Sequence, residues 1–361
     1  MAMRDTSVPL TGPAESWMER APPRILAVGI HILDVLGRPV DSLPPGQGSV
    51  PLEEIRLTAA GTAAGTAVDL AKLGARVTSV GCIGDDAAGR LVLELLAGHG
   101  VDVSRIAVVA NAQTATTILP IRSNGERPAL HVRGAAPMMS LDLIDREWML
   151  GADVLHLGAP DALGPFGGEP AATMLAWARE AGVTTTVDLL RPGEYQALER
   201  LAPVLARSDY FLPNNDQLLG LTGTRNLAEA AKCVLDLGVK AVAVTLGQDG
   251  CAVFSEQETF QLPAADVGVV DTTGCGDAFS AGFIRAVASG ADIEQSAWVG
   301  TAAAALVAQG LGSDAGIVDL TMTLDFLSST SWHAPLGPTG RTAPPPALVR
   351  SRPPGRDQRE A

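Results

Sequence analysis

Aromatic side chains are scarce: Trp, Tyr and Phe make up 4% of the 361 residues, while hydrophobic residues together reach 47%. The core must therefore be built from small aliphatic side chains. A chain of this length can bury a large one, as one sizeable domain or two small ones. Basic residues are also outnumbered, 26 Lys and Arg against 40 Asp and Glu, which leaves a formal net charge of −14. That balance argues against duplex nucleic acid or anionic lipid as the main partner. The 4 cysteines, Cys82, Cys233, Cys251 and Cys275, lie far apart with no Cys-x-x-Cys and no metal-type Cys/His spacing. Neither a disulfide framework nor a zinc site is indicated, and a reducing cytoplasm fits best. No run of about 18 apolar residues appears, and the start lacks the basic-then-apolar layout of a signal peptide, so no membrane span or export is expected.

Glycine is plentiful, and its placement organises the chain. Residues 269–283 read Val-Val-Asp-Thr-Thr-Gly-Cys-Gly-Asp-Ala-Phe-Ser-Ala-Gly-Phe. A short apolar run, Val267 to Val270, precedes the turn. Phe279, Phe283, Ala286 and Val287 then recur at helical spacing until Gly290 supplies a stop. A glycine-flanked turn thus opens a helix. Gly274 and Gly276 let the backbone come close to a ligand, and the unpaired N–H groups of the first turn favour an anion such as phosphate. Asp277 directs a carboxylate at the same space. That pairing suits a group that takes a proton from a hydroxyl while the cradle neutralises charge on a phosphoryl group in flight. The plainer alternative is a helix N-terminus with an acidic first turn.

The string Asp-Thr-Thr-Gly-Cys-Gly-Asp-Ala-Phe-x-x-Gly-Phe resembles the C-terminal signature of the ribokinase-like, or PfkB-type, carbohydrate kinases, with Cys275 where Ala is usual. The resemblance implies that Asp277 is the catalytic base, that Gly274, Cys275 and Gly276 form the anion hole, and that Asp271 and Thr273 belong to a monovalent-cation loop, the ion being K+. Cys275 itself reads as a small packing substitute for Ala, with a thiol activated by the helix N-terminus as the alternative.

Four further stretches resemble the same family in the same order, over about residues 24–326. The apolar run at 25–30 is a strand ending in Gly29, and Asp34 stands where the family uses an Asp to hold sugar hydroxyls; taken alone, Asp34 reads as a turn or surface carboxylate. Residues 60–67, Ala-Gly-Thr-Ala-Ala-Gly-Thr-Ala, lead into a helix that stops at Gly74. Gly61, Thr62 and Gly65 lie at the matching substrate positions, but both asparagines of the usual Gly-Gly-Asn-x-x-Asn are missing, which points to an unusual substrate. Residues 77–89 join a strand to a helix through Gly81, Gly84, Asp85, Asp86 and Gly89, where a capping role for Asp85 or Asp86 is the default. Residues 241–254 form a strand, a glycine turn and a second strand, and the resemblance places Thr245, Gly247 and Gly250 beside the nucleotide. In the alanine-rich helix over 293–308, Thr301 stands where the family often has an Asn near adenine.

Between these stretches, apolar runs at 154–158, 184–188 and 210–214 alternate with helical patterns, which implies a parallel sheet covered on both faces. Ligands then bind beyond the strands' C-terminal ends, where Gly158, Asp188, Asn214 and Gly247 fall. Asn214 is a candidate nucleotide contact or a helix cap. It opens Asn214-Asn215-Asp216-Gln217, in which Gln217 replaces a Glu that in the family helps organise magnesium through water; Asp216 and Asp188 are the candidates to substitute.

The expected architecture is α/β: a ribokinase-like, doubly wound, mostly parallel sheet flanked by helices, spanning residues 23–328. A small β-sheet lid comes from residues near 36–58 and 114–133, the second part a hairpin signalled by Asn124-Gly125. Residues 1–22 read as a flexible lead-in, and 329–361 as a disordered Pro/Arg-rich tail. The expected reaction is ATP-dependent, Mg2+-assisted phosphorylation of a primary hydroxyl of a sugar-like molecule. The alternatives are a nucleoside kinase on the same scaffold and a non-catalytic sugar or nucleotide sensor. No nucleic-acid or membrane partner is expected, and a homodimer through the lid edges is the expected assembly.

Overall fold

The computed structural model describes residues 9–10, 20–333, 341–342 and 347–348. Most of the lead-in expected over 1–22 and of the tail expected over 329–361 lies outside the described residues. The first half of the chain runs β1 (Arg24–Gly29), β2 (Ile32–Arg38), β3 (Glu54–Ala60), α1 (Ala64–Lys72), β4 (Arg76–Gly84), α2 (Ala87–Gly98), β5 (Asp102–Val109), β6 (Thr116–Pro120) and β7 (Leu130–Val132). The second half begins β8 (Val154–Gly158), α3 (Glu169–Glu180), β9 (Thr184–Val187), α4 (Tyr195–Leu205), β10 (Tyr210–Phe211), α5 (Asn215–Thr222) and α6 (Leu227–Leu235). It ends with β11 (Ala241–Thr245), β12 (Cys251–Ser255), β13 (Thr259–Leu262), α7 (Cys275–Ala288), α8 (Ile293–Val307) and α9 (Leu320–Ser329).

The main sheet has the order β5-β4-β1-β8-β9-β10-β11-β12-β13, with Arg341–Thr342 pairing outside β13. From β5 to β11 the pairings are parallel; β12 and β13 are antiparallel. Alternation along β1 feeds two cores, one on each face. Ile25 and Ala27 pack with α1, α7 and α8, while Leu26 and Val28 pack with α3 to α6. This is the period of two that a strand buried on both faces requires. With so few aromatics, those present cluster: Phe279 and Phe283 stack with ring centroids 6.2 Å apart, and Tyr210 meets Phe283 edge-on at 5.3 Å. The chain leaves β1 towards β4 and β5, then resumes on the other side at β8. The strand ends at this switch point are where a cleft opens.

The second sheet is the expected lid, with order β3-β2-β6-β7. Its hairpin turns at Gly125, whose φ of 84° suits glycine, and β6 pairs antiparallel with β7 as the Asn-Gly signal predicts. One local expectation changes. The first lid strand begins at Ile32, so Asp34 lies inside lid strand β2 and is only 6% exposed, which removes the surface reading. The short apolar run Val267 to Val270, for which no element was expected, is a loop, with Val269 59% exposed. Among the described residues no helix is long and apolar enough to cross a membrane.

Candidate active site

The glycine turn before α7 has the conformation its sequence demands. Gly274 sits at the N-cap with φ 81°, and no side chain caps the helix. A Cβ there would lie 2.4 Å from Ser313 Cα, so only glycine fits. At Gly276 a Cβ would meet nothing within 4 Å. The turn therefore opens into space at a helix N-terminus suited to an anion, although the Cys275 N–H also donates to the Thr272 carbonyl at 3.4 Å. Behind it, Asp271 is almost wholly buried. One of its oxygens accepts from the Thr273 N–H at 3.0 Å and the Thr273 hydroxyl at 2.8 Å, and the other from the Gly312 N–H at 3.0 Å. This carboxylate ties the turn to residues 310–313.

Asp277 stands in the first turn of α7, half-buried, with its free edge on a cavity of about 400 Å³. Burial, then the charges of Asp188 and Asp34, raise its carboxyl well above the ordinary value, while Arg127 pulls the other way. Gly65 explains the absent asparagine: a Cβ at that position would lie 2.6 Å from Asp277 Oδ2. Helix α1 thus clears room for the carboxylate, and the Thr66 hydroxyl donates to the Asp277 carbonyl at 3.4 Å.

The same cavity is lined by Thr62, Arg127, Asp188, Asn214, Thr245, Gly247, Cys275 and Gly276. Thr62 Oγ1 is buried against Gly158 without a hydrogen-bond partner. Asp188 follows β9; it accepts from the Ala159 N–H at 3.2 Å and lies 3.6 Å from His156 Nε2. His156 is fully buried on β8, with Nδ1 2.9 Å from the Thr186 hydroxyl and Nε2 3.0 Å from the Thr62 carbonyl. It therefore links the Thr62 loop to the Asp188 strand.

An adjoining, more apolar cavity of about 520 Å³ is lined by Thr245, Gly247, Gly250, Phe279, Thr301 and His333, among others. The two cavities share Thr245, Gly247, Thr272, Cys275 and Gly276, so the glycine turn lies between them. Small residues from α8, Thr301, Ala304, Ala305 and Ala308, give the second cavity a flat apolar side. Thr301 itself spends its hydroxyl on the Ala297 carbonyl at 2.8 Å.

Of the residues singled out from sequence, Thr62, Asn214, Thr245, Gly247, Gly250, Cys275, Gly276, Asp277 and Thr301 line these cavities. Asp34 lines neither. It is nevertheless close enough for its charge to act on Asp277, and burial pushes its own carboxyl up to about 6 against a hydrogen bond from Thr117 and the charge of Arg127. Gly61 (φ 91°) and Gly65 act behind the wall, as does Gly274. Asn214 proves to be a cap: its side chain accepts from the Gln217 N–H at 2.8 Å, and Gln217 Oε1 accepts from the Asn214 N–H at 2.8 Å. Gln217 Nε2 also donates to the Leu189 carbonyl at 2.8 Å. Asp86 likewise caps α2 through the Gly89 N–H. Burial pushes the Cys275 thiol up to about 12, which argues against the activated-thiol alternative.

Arg127 is the residue that sequence reasoning missed. It comes from the polar stretch between β6 and β7, and its Nε donates to Thr272 Oγ1 at 3.1 Å. Nothing in the sequence distinguishes it from an ordinary solvated arginine in a hairpin loop. Only the docking of the lid on the turn does so.

Residues 23–319 match the profile of the pfkB family carbohydrate kinases. The chain is 33% identical over 288 residues to the ATP-dependent ribose-1-phosphate kinase of Halopiger xanaduensis, an alignment covering 79% of this chain and 92% of that protein. It is 27% identical over 277 residues to the ribokinase of Haemophilus influenzae, covering 74% and 86%. Among solved structures, Arabidopsis thaliana ribokinase complexed with ribose and ATP superposes with a TM-score of 0.71 at 28% identity, covering 85% of this chain and 99% of that one. An E. coli structure described as a ribokinase II with ATP and Mg2+ gives 0.74 at 21% identity, with the same coverage, a likeness of fold.

Proposed function

Since the chain belongs to the pfkB family of carbohydrate kinases, we propose that it moves the γ-phosphoryl group of ATP to a primary hydroxyl of a sugar or sugar-like acceptor. One observation carries this reading: the Asp277 carboxyl, the free end of α7 and the Arg127 guanidinium face a single cavity beside a second, apolar one of nucleoside size. In the proposed reaction Asp277 takes the acceptor's proton as the hydroxyl oxygen bonds to the γ-phosphorus. The bond from that phosphorus to the β-phosphate bridge breaks, and ADP leaves with the bridging oxygen. The amides of Gly274, Cys275 and Gly276 receive the charge on the moving group. Asp34, Gly61, Thr62 and Gly65 are assigned to the acceptor end: Thr62 lines the cavity, Gly61 and Gly65 lie behind its wall, and Asp34 stands on the adjoining lid strand. Asn214, Thr245, Gly247, Gly250 and Thr301 border the nucleotide, with the adenine against the alanine side of α8.

Mg2+ fits the donor set on this cavity. Asp188 and Asp216 are oxygen ligands of the kind a hard cation takes, and they are the residues that would hold it. When bound, Mg2+ neutralises charge shared by the β- and γ-phosphates. Gln217 has no part in this, because both ends of its amide are bonded to backbone groups. A K+ at Asp271 and Thr273 extends the proposal. The Asp271 carboxylate has about four acceptor sites, of which the protein uses three, and the ion would add positive charge behind the turn. The outward face of the lid presents Ile55, Leu57, Ile118, Leu130 and Val132, each at least 42% exposed, which supports a homodimer through the lid. All four cysteines are free, which suits a reducing cytoplasm.

The test is acceptor-dependent ADP release from ATP and Mg2+, across a panel of pentoses, hexoses, sugar phosphates, sugar acids and nucleosides. A kinase of sugars releases ADP with a member of the sugar groups. Release with nucleosides alone assigns the nucleoside alternative, and nucleotide binding with no release in any arm assigns the sensor.

A further inference from the structure

Part of the wall of the apolar cavity comes from beyond the stretch that matches the family profile, which ends at residue 319. After α9 the chain returns as a short strap, Ser331-Trp332-His333, alongside Ala264, Ala265 and Asp266. Backbone bonds hold both ends of it. The Asp266 N–H donates to the Ser331 carbonyl at 2.9 Å, and the His333 N–H donates to the Ala264 carbonyl at 2.9 Å. Between them Ala265 and Trp332 pair antiparallel. The Trp332 ring meets Trp298 of α8 edge-on, with centroids 4.9 Å apart, and Phe326 of α9 at 6.5 Å. Scarce aromatic side chains are thus committed to fixing this strap. Successive side chains of an extended segment point to opposite sides, so the packing of Trp332 inward turns His333 the other way, and there it lines the cavity.

Among the described residues that line this cavity, two carry rings, Phe279 and His333; the rest are Gly, Ala, Val, Thr, Gln and Cys. Phe279 is 1% exposed and already stacked with Phe283, so its ring belongs to the core. His333 differs. Its side chain is 52% exposed, and its nearest ionic neighbour is Asp266, with Nε2 3.8 Å from Oδ1. The imidazole therefore keeps open ring surface at a cavity otherwise walled by small side chains. A planar base gains most from such a ring, because stacking on it buries two flat faces at once. We infer that His333 is a nucleotide-binding residue, held by the strap so that its imidazole packs on the adenine base of ATP. This inference rests on the kinase reading above and deepens its nucleotide side, with a residue outside the family profile.

The test is calorimetric titration with ADP, which needs no acceptor, on the full-length wild type, His333→Ala, His333→Phe and Trp332→Ala. The thermal midpoint of each unliganded protein is recorded beside it. His333→Ala should weaken ADP by about fivefold or more, the size of a lost stacking partner, with the unliganded midpoint unchanged because the side chain is half exposed. His333→Phe keeps a ring in place and should bind ADP about as the wild type does. Trp332→Ala loosens the strap, so it should weaken ADP and lower the midpoint together. In turnover with an acceptor from the panel above, His333→Ala should raise KM for ATP while kcat and the acceptor KM stay as they are. Unchanged ADP affinity in His333→Ala overturns the inference, as does equal weakness of His333→Phe and His333→Ala. A loss that comes with a lower unliganded midpoint or a raised acceptor KM marks a structural role and overturns it too. Each of these outcomes leaves the kinase reading standing. A wild-type protein that binds neither ADP nor ATP overturns both.

Discussion

Asp277 and Asp34 show why a carboxylate in a motif is not the same group as a carboxylate in a pocket. The sequence places Asp277 one residue past the glycines. It does not reveal that Asp34 and Asp188 stand close enough to hinder its ionisation. Both Asp277 and Asp34 bind their protons more tightly in the folded protein than in the unfolded chain. For each, the stabilisation from that proton is full below the unfolded value of about 4 and is lost as pH rises through the folded value, which for Asp34 is about 6. Activity runs the opposite way, because a base must be ionised to work. The acid limb of kcat/KM should therefore inflect well above the value of about 4 that a solvent-exposed aspartate would give. A pH–rate profile on the free enzyme checks this, and a limb at the ordinary aspartate value would refute the crowded-carboxylate geometry. Gly65 belongs to the same scale. Its absent side chain was read from sequence as a lost substrate contact, and it is also the space that Asp277 fills.

At the scale of the element, the start of α5 is where reading by family position misleads. Gln217 looks like a weakened metal residue; in the fold it completes a capping box with Asn214 and donates to the Leu189 carbonyl. Gln217→Glu should therefore destabilise the protein. The new carboxylate would face a carbonyl it cannot donate to, a buried mismatch of about 1–3 kcal/mol. Urea unfolding reads it as a lower midpoint, and an unchanged midpoint would show that the Leu189 bond carries no weight. Elements with strong local signals were legible: β1 by its buried run, the β6–β7 hairpin by Asn-Gly, α7 by its glycine turn and helical spacing. Those set by distant partners were not. The β2 strand begins at Ile32 because it pairs with β3 and β6, which are far along the chain. The apolar residues before the glycine turn find no neighbouring strand and remain a loop.

For the whole molecule, the alternation of apolar runs with helical patterns made the parallel sheet and the strand ends at its cleft readable from the sequence, but not the order of the strands. The lid was readable as strands but not as a carrier of chemistry, because Arg127 gains its place only when that sheet docks over α7. The outer face of the lid makes a prediction at this scale. If two copies pair through it, Ile118→Glu, at a position 53% exposed with Leu130 opposite, should convert the dimer to monomer while thermal stability of the monomer changes little. Sedimentation velocity distinguishes the species, and a wild-type protein that sediments as a monomer at all concentrations would remove the lid interface.

The account depends most on Asp277 as the group that takes the acceptor's proton, and rapid-quench transfer from ATP to a confirmed acceptor measures that step directly. Asp277→Asn keeps the shape of the site and should lower the transfer rate by at least about a hundredfold, with ATP and acceptor affinities nearly intact. Transfer at close to the wild-type rate in that variant would contradict the central claim.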